Sequence, residues 1–302
     1  MSTAVTRAND ALTAKNYADA LAWYRKAADL GNAPAMFNVG LLYETGQGVD
    51  KNAAEAAKWF RKAADLNHTG AMVSLALAYE KGRGVAQDYR EAIALYRKAA
   101  DLKDTAAMRN LGYLYENAVG VERDNAEALR WYRRAADLND ASAMHTVGLF
   151  YDKGKGVPID YAQALAWYKK AADLKYPAAC NAIGVLYETG RGVKADVAQA
   201  IVWYKKAADL NYAPAMSNIG ALYDNGVGVT LDHAEAMKWF KKAAELHQGM
   251  AMFNIGVLYE TGRGVAANLP EALDWYRKAA ASDDDAARKL ASDRLNSLGF
   301  PQ

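Results

Sequence analysis

Hydrophobic and polar positions return along this chain with a fixed period. Residues 56–66 read Ala-Ala-Lys-Trp-Phe-Arg-Lys-Ala-Ala-Asp-Leu, and this arrangement recurs every 36 residues without an insertion or deletion. The tryptophan position is occupied in turn by Trp23, Trp59, Leu95, Trp131, Trp167, Trp203, Trp239 and Trp275. A period of roughly 20 to 50 residues that does not drift indicates a solenoid of stacked repeats.

Each repeat contains two amphipathic helical patterns, which we name helix A and helix B. In the repeat of residues 33–68, the spacing predicts that helix A buries Ala35, Met36, Val39, Gly40, Leu42 and Tyr43. Gly46 and Gly48 predict its end, because glycine adopts the left-handed conformation readily. Helix B follows an N-cap position that carries Asn52, Asp88, Asp124, Asp160, Asp196, Asp232 and Asn268.

The buried face of helix B is predicted to contain Ala56, Ala57, Trp59, Phe60, Ala63, Ala64 and Leu66. On this basis Trp167→Ala removes a buried aromatic ring and costs about 3–5 kcal/mol. Glycine in the middle of helix A costs about 1 kcal/mol relative to alanine. Its recurrence predicts that another helix backbone approaches closely at Gly40, Gly112, Gly148, Gly184, Gly220 and Gly256. Ala118 replaces the glycine that ends helix A, so the loop at 117–121 is expected to be the most strained.

The recurrent order Ala-Met-x-Asn-x-Gly-x-Leu-Tyr-Glu-x-Gly-x-Gly-Val, followed by Asp/Asn-x-x-Glu-Ala-x-x-Trp-Tyr-x-x-Ala-Ala-Asp-Leu, resembles the Sel-one-like repeat of the tetratricopeptide superfamily. The resemblance implies an all-α fold, an α/α solenoid whose antiparallel helix pairs form a right-handed superhelix with helices A on the concave side. We expect an N-terminal cap helix in residues 1–14 and a C-terminal cap helix and tail in residues 285–302. Between them, residues 15–284 hold seven full units plus one extra helix B.

Composition narrows the class of protein further. The chain is 52% hydrophobic, and its 37 basic and 35 acidic residues leave a net charge of +2, which lacks the positive field of a general nucleic-acid binder. Its single cysteine, Cys180, cannot form an internal disulfide, which fits a reducing compartment or one where thiols are not used. There is no signal-like apolar segment near the first residue and no apolar run of about 18 residues. We therefore expect a cytoplasmic chain without a membrane span.

No residue set predicts catalysis, a metal site or a cofactor. The four histidines lack metal-ligand spacing, and the Gly-x-Gly pairs lack the preceding strand that a phosphate cradle requires. Helix A carries an acid near its end in every unit, at Glu44, Glu80, Glu116, Asp152, Glu188, Asp224 and Glu260. A catalytic carboxylate has no reason to occur seven times, so these acids are interpreted as structural or groove-lining.

Residues that pack inside the repeats are expected to stay the same from unit to unit. Positions of helix A that differ between units are therefore the ones expected to contact a ligand. One such position reads Phe37, Val73, Arg109, His145, Asn181, Ser217 and Phe253. A second, four residues later and on the same helical stripe, reads Leu41, Leu77, Tyr113, Leu149, Val185, Ala221 and Val257. The second position is either half-covered by the next helix A or a hydrophobic recognition strip.

The resemblance to tetratricopeptide-like domains adds four asparagines, because the matching residue there lines the groove and can bond a peptide backbone. These are Asn38, Asn110, Asn218 and Asn254. The alternative is that they bond the neighbouring helix. Together with residues of the two varying positions they form the predicted partner-binding site, which we name the A-helix stripe. Its members are Phe37, Asn38, Leu41, Val73, Leu77, Arg109, Asn110, Tyr113, His145, Leu149, Asn181, Val185, Asn218, Phe253, Asn254 and Val257.

The sequence thus predicts a non-catalytic scaffold or adaptor that binds a protein or peptide in a groove along helices A. No nucleic acid is expected, and a monomer is favoured. One alternative is an idealised or engineered scaffold without a natural ligand, which the unbroken period favours and the variation in the stripe opposes. Another is a β-lactam-hydrolysing enzyme, proposed for cysteine-rich secreted members of the family. Those members carry a cysteine pair in each repeat, whereas this chain has one cysteine.

Overall fold

A computed structural model describes residues 2–300, and these residues form seventeen α-helices and no strand. The predicted all-α solenoid class is confirmed, while the hand of the superhelix stays a prediction. The helices are α1 Ser2–Thr13, α2 Tyr17–Asp29, α3 Ala33–Thr45, α4 Ala53–Asp65, α5 Thr69–Lys81, α6 Tyr89–Asp101, α7 Thr105–Asn117, α8 Asn125–Ala136, α9 Ala141–Lys153, α10 Tyr161–Asp173, α11 Pro177–Thr189, α12 Val197–Ala208, α13 Ala213–Asn225, α14 His233–Glu245, α15 Gly249–Thr261, α16 Leu269–Ala280 and α17 Asp285–Ser297.

The chain divides into two compact units, Met1–Ala143 and Met144–Gln302, with the boundary inside α9. In the first unit every helix from α1 to α8 packs on the next, and in the second the same holds from α10 to α17. The predicted domain organisation, with α1 and α17 as caps, stays a prediction, and residues 1, 301 and 302 lie outside the described part of the chain. None of the helices in residues 2–300 is long and apolar enough to cross a membrane.

Helix boundaries follow the local signals in the sequence. The Asn52 side chain accepts a hydrogen bond from the Glu55 amide at 2.9 Å and so begins α4, and the equivalent residues begin the other B helices. Helix α3 ends at Gly46 with φ 75°, and α7 ends at Ala118 in the same left-handed conformation, with φ 58°. Ala118 therefore carries the strain expected at this loop.

We expect Ala118→Gly to raise the free energy of unfolding by about 1 kcal/mol, because glycine adopts the left-handed conformation without a steric cost. The reciprocal change, Gly190→Ala at the end of α11 with φ 68°, should lower it by a similar amount. Urea unfolding followed by circular dichroism measures both. A loss of stability in Ala118→Gly would contradict the assignment of strain.

The aromatic core of helix B is the residue after the tryptophan, which corrects the sequence-based expectation. Tyr204 is fully buried, whereas Trp203 is half-buried with the ammonium of Lys206 lying 3.9 Å from its ring centroid. Trp167 is also half-buried, so its truncation should cost less than predicted. Trp131 alone among the tryptophans is buried.

The glycines inside helix A make room for this aromatic residue. A Cβ atom added at Gly184 would lie 2.5 Å from Cε1 of Tyr204, and one added at Gly40 would meet the ring of Phe60 at the same distance. The close approach is thus between a helix A backbone and a helix B ring. The predicted approach of two backbones is wrong at these positions.

Leu66 was predicted to be buried, and the structure places it on the surface with half of its area exposed. It is the C-cap residue of α4 and lies beyond the last helical turn, so the buried face of the helix does not extend to it. The same position is exposed in all seven units that carry leucine there, namely Leu30, Leu66, Leu102, Leu138, Leu174, Leu210 and Leu246.

Candidate protein-binding surface

The A-helix stripe lies on α3, α5 and α7 in the first unit and on α9, α11, α13 and α15 in the second. Its residues are all at least partly accessible. Leu77 and Tyr113 are exposed. The half-buried members are Phe37, Asn38, Leu41, Val73, Arg109, Asn110, His145, Leu149, Asn181, Val185, Asn218, Phe253, Asn254 and Val257.

The first unit carries the larger apolar surface on helix A. Leu41, Leu77 and Tyr113 occupy one position on three successive A helices, and we name them the apolar strip. Leu77 is 40% exposed and Tyr113 is 50% exposed, whereas Leu149 and Val185 at this position in the second unit are half-buried. Of the two interpretations left open by the sequence, exposure favours a recognition strip in the first unit.

Packing holds several residues that were expected to be free to vary. The Phe37 ring stacks on His68 with centroids 4.8 Å apart and lies 5.7 Å from the ring of Phe60. His145 makes matching contacts with Tyr168 and Tyr176, each at 5.4 Å. The premise that the stripe is free of internal packing is therefore wrong at these positions.

A charged pair replaces the ring contact in the third unit. Nε of Arg109 lies 3.1 Å from Oδ2 of Asp140 as an ion pair, although its N–H does not point at the carboxylate as a hydrogen bond requires. Asp140 also accepts a hydrogen bond from the Ala143 amide at the start of α9. The guanidinium of Arg109 is thus paired with an acid of the same chain, Asp140.

The residue that contacts the first stripe position lies 31 residues later in the chain. The pairs Phe37 with His68 and Arg109 with Asp140 both have this separation. Sequence reasoning missed the second partner. The available signal was the opposite charge of Arg109 and Asp140 alone, because the residues at the two positions do not vary together across the repeats.

Burial has an electrostatic consequence at His145. The ring lies between two tyrosines, and the loss of hydration lowers the pKa of His145 to about 4. Its neutral form is therefore stable at physiological pH. This histidine fits a packing role better than a charged contact with a ligand.

Two asparagines of the stripe bond each other across neighbouring A helices. Nδ2 of Asn218 on α13 donates to Oδ1 of Asn181 on α11 at 3.0 Å. The structural alternative considered for these residues therefore applies to Asn218. Asn38, Asn110 and Asn254 are half-buried, and their role in binding stays a prediction.

Four of the acids near the ends of helices A, namely Glu80, Glu116, Glu188 and Glu260, accept hydrogen bonds from buried tyrosines of helices B. Tyr204 donates to Glu188 at 2.5 Å, and Tyr276 donates to Glu260 at 2.6 Å. Burial raises the pKa of both phenols, so they remain protonated donors. These contacts give the four acids a structural role, whereas the corresponding helix B residue for Glu44 and Asp224 is a phenylalanine, Phe60 or Phe240.

Asp152 departs from this arrangement. It is one methylene shorter than glutamate, and its carboxylate accepts from Arg191 at 2.9 Å instead. The hydroxyl of Tyr168, which is buried beneath it, has no hydrogen-bond partner in the described part of the chain. An unsatisfied buried hydroxyl costs about 1–3 kcal/mol.

A matched pair of substitutions tests this difference. We expect Tyr204→Phe to destabilise the protein by about 1–3 kcal/mol, because it removes a hydrogen bond to a charged acceptor. Tyr168→Phe should be neutral or stabilising, since it removes a hydroxyl that has no partner. Urea midpoints of the two variants give the comparison, and equal losses in both would refute the assigned bonds.

Four cavities, with volumes of 380, 490, 320 and 520 Å³, are lined by residues outside the A-helix stripe, largely from helices B. Within residues 2–300, no group of three or more His, Cys, Asp and Glu side chains is placed to hold a metal ion. Burial raises the pKa of the Cys180 thiol, which disfavours the reactive thiolate.

Comparisons with known proteins agree with the architecture. Eight stretches match the family model described as the Sel1 repeat, at residues 10–32, 33–68, 69–104, 105–140, 141–176, 177–212, 213–247 and 249–284. A Sel1 repeat protein from Oxalobacter formigenes is 38% identical over 80% of this chain and 99% of its own, with a TM-score of 0.71.

Two further solved structures extend the likeness. The protein c5321, a protective antigen present in uropathogenic Escherichia coli strains, is 30% identical over 94% of this chain and 68% of its own, with a TM-score of 0.64. Yeast Tom70 is 15% identical over 93% of this chain and 60% of its own, with a TM-score of 0.58, and shares the fold alone. A search of the curated proteins finds no match.

Proposed function

The chain belongs to the Sel1 repeat family, whose repeats generally mediate protein–protein interaction, and we propose that it binds a segment of a partner protein on helices A of its first unit. Family members are typically non-enzymatic scaffolds. The proposed role is therefore that of an adaptor that holds a partner without chemical change. The partner segment is expected to present apolar side chains.

The observation that carries this proposal is the exposure of the apolar strip. Leu77 and Tyr113 extend large apolar side chains into solvent from two successive A helices, at a position that is more covered in the second unit. Tyrosine is enriched at the centre of protein interfaces, since its ring buries a large area and its hydroxyl can still bond. Arg109, Glu80 and Glu116 in the first unit already have internal partners, so apolar anchors matter more than charge for this surface.

We expect Leu77→Ser/Tyr113→Ser to weaken partner binding by roughly tenfold or more, because two large apolar contacts are lost. Affinity capture from a lysate of the source organism, with mass spectrometry, would first identify proteins held by the native chain. Titration calorimetry with the purified partner then gives the Kd for each variant.

The matched control is Ile159→Ser/Leu231→Ser, which removes two exposed apolar side chains outside helices A. Circular dichroism verifies that both variants keep the native helix content. A partner that binds the strip variant as tightly as the native chain would exclude the apolar strip as its site. The absence of any captured partner would favour a scaffold without a natural ligand.

A further inference from the structure

The exposed leucines at the ends of helices B belong to a larger surface in the second unit. In three successive units a half-buried tryptophan is followed three residues later by a lysine over its ring and then by the exposed leucine. The set is Trp167, Lys170 and Leu174, then Trp203, Lys206 and Leu210, then Trp239, Lys242 and Leu246. We name these nine residues the B-end surface. A repeated row of exposed leucines is unlike the single apolar residues scattered on ordinary surfaces.

Cavities open between successive B helices of the second unit, one of them lined by residues of this surface and the other next to it. One, of 320 Å³, has Cys180, Trp203 and Leu210 in its lining. Another, of 520 Å³, has Met252 and Trp275 at the equivalent positions two repeats later. Sulfur and indole are polarisable apolar groups that accept aliphatic and aromatic side chains. The same type of anchoring pocket is thus present at two points along the second unit.

The C-terminal ends of α10, α12 and α14 carry more lysines than acids. Each of these helices has a pair of lysines in its last turns and one acid at its C-terminal end, which gives six lysines and three acids. The lysines are Lys169, Lys170, Lys205, Lys206, Lys241 and Lys242, and the acids are Asp173, Asp209 and Glu245. Among the residues that the structure describes, none of these six lysines forms an ion pair. Their ammonium groups are available to carboxylates of a partner.

From this combination we infer that the B-end surface binds an acidic segment of a partner protein that carries Leu or Phe anchors between Asp and Glu residues. The anchors would occupy the cavities and lie against the leucines. The carboxylates would meet the lysines, which can stay stacked on the tryptophan rings. This surface is separate from the apolar strip and does not depend on the proposed function.

Charge argues against a second copy of the chain and against a nucleic acid as the ligand of this surface. A second copy of the chain would place lysine rows against lysine rows, with like charges in excess. A nucleic acid would meet an acid in every repeat, and the indole faces that could stack on bases are already covered by Lys170, Lys206 and Lys242. An acidic peptide supplies both the missing charge and the apolar anchors.

The test uses the full chain and fluorescence anisotropy of a labelled peptide of about 15 residues composed of Asp, Glu, Leu and Phe. Three other probes are a peptide with Ser at the Leu and Phe positions, a peptide with Lys at the acidic positions, and a short DNA duplex. We expect the first peptide alone to bind with a Kd below about 100 μM, more weakly at high salt. Sedimentation velocity on the same samples measures self-association.

Two variants should weaken this binding by roughly tenfold each. They are Lys170→Gln/Lys206→Gln/Lys242→Gln, and Leu174→Ser/Leu210→Ser/Leu246→Ser. Matched controls are Lys15→Gln/Lys194→Gln/Lys289→Gln, with exposed lysines elsewhere, and Ile159→Ser/Leu231→Ser. Both controls, and Leu77→Ser/Tyr113→Ser on the apolar strip, should leave the Kd within about twofold of the native value.

Several outcomes would overturn the inference. The acidic apolar peptide could fail to bind up to about 1 mM, or the control variants could lose as much affinity as the test variants. Tight binding of DNA without binding of the peptide would assign the surface to nucleic acid. A dimer that the leucine substitutions dissociate would assign it to a second copy of the chain.

Discussion

Tyr204→Ala should lower the free energy of unfolding by about 3–5 kcal/mol, whereas Trp203→Ala at the adjacent position should lower it by about 1–2 kcal/mol. Tyr204 is fully buried against the α-carbon of Gly184 and donates to Glu188 at 2.5 Å. Its removal leaves a cavity and an acceptor without its donor. Trp203 is half-buried at the rim of a 320 Å³ cavity, so much of its area is already hydrated.

Urea unfolding of the two variants, followed by circular dichroism, measures this order directly. The second pair Tyr276→Ala and Trp275→Ala repeats the comparison in the last repeat, where Tyr276 is fully buried and Trp275 half-buried. A larger loss from the tryptophan substitution in both pairs would show that the indole is the core residue, as the sequence suggested.

Acidification should lower the free energy of unfolding of His145→Phe by about 1–3 kcal/mol less than it lowers that of the native chain. Burial lowers the pKa of His145 to about 4, so the unfolded chain binds a proton below its ordinary pKa of 6.5 and the folded chain does not. Stability from the neutral histidine is therefore complete above about pH 6.5, declines between about pH 6.5 and 4, and is constant below that. Because phenylalanine does not titrate, the free energy of unfolding of His145→Phe should depend less on pH in this range.

The chain itself supplies the precedent for this substitution, since Phe253 occupies the same position and lies 5.4 Å from Tyr276. We therefore expect the variant to fold normally at neutral pH. Urea unfolding at a series of pH values from 7 to 4, for the native chain and His145→Phe, gives the difference in slope. Parallel pH profiles would mean that His145 is as hydrated in the folded state as in the unfolded state.

Local features of the fold could be predicted from sequence because they depend on near neighbours in the chain. The N-caps such as Asn52 and the left-handed end of helix A at Gly46 lie where residue type alone placed them. The repeat period fixed the number and order of helices for the same reason, since each unit builds the same pair.

Features that depend on distant contacts were predicted less well. Trp203 and Tyr204 both fall near the apolar face of α12, and only the position of α11 decides that the tyrosine ring lies against Gly184. Leu66 continues the apolar pattern but lies past the end of its helix. The stripe looked free because its partner positions, such as His68 for Phe37, are 31 residues away.

The most direct test of the account is photocrosslinking of the captured partner from defined positions on the two kinds of helix. A benzophenone amino acid would replace Leu77 or Tyr113 on helices A, and, in separate controls, Ile159 or Leu231 outside them. We predict crosslinks to the partner from the first two positions and none from the controls. Crosslinks from the control positions with none from Leu77 and Tyr113 would contradict binding on the apolar strip.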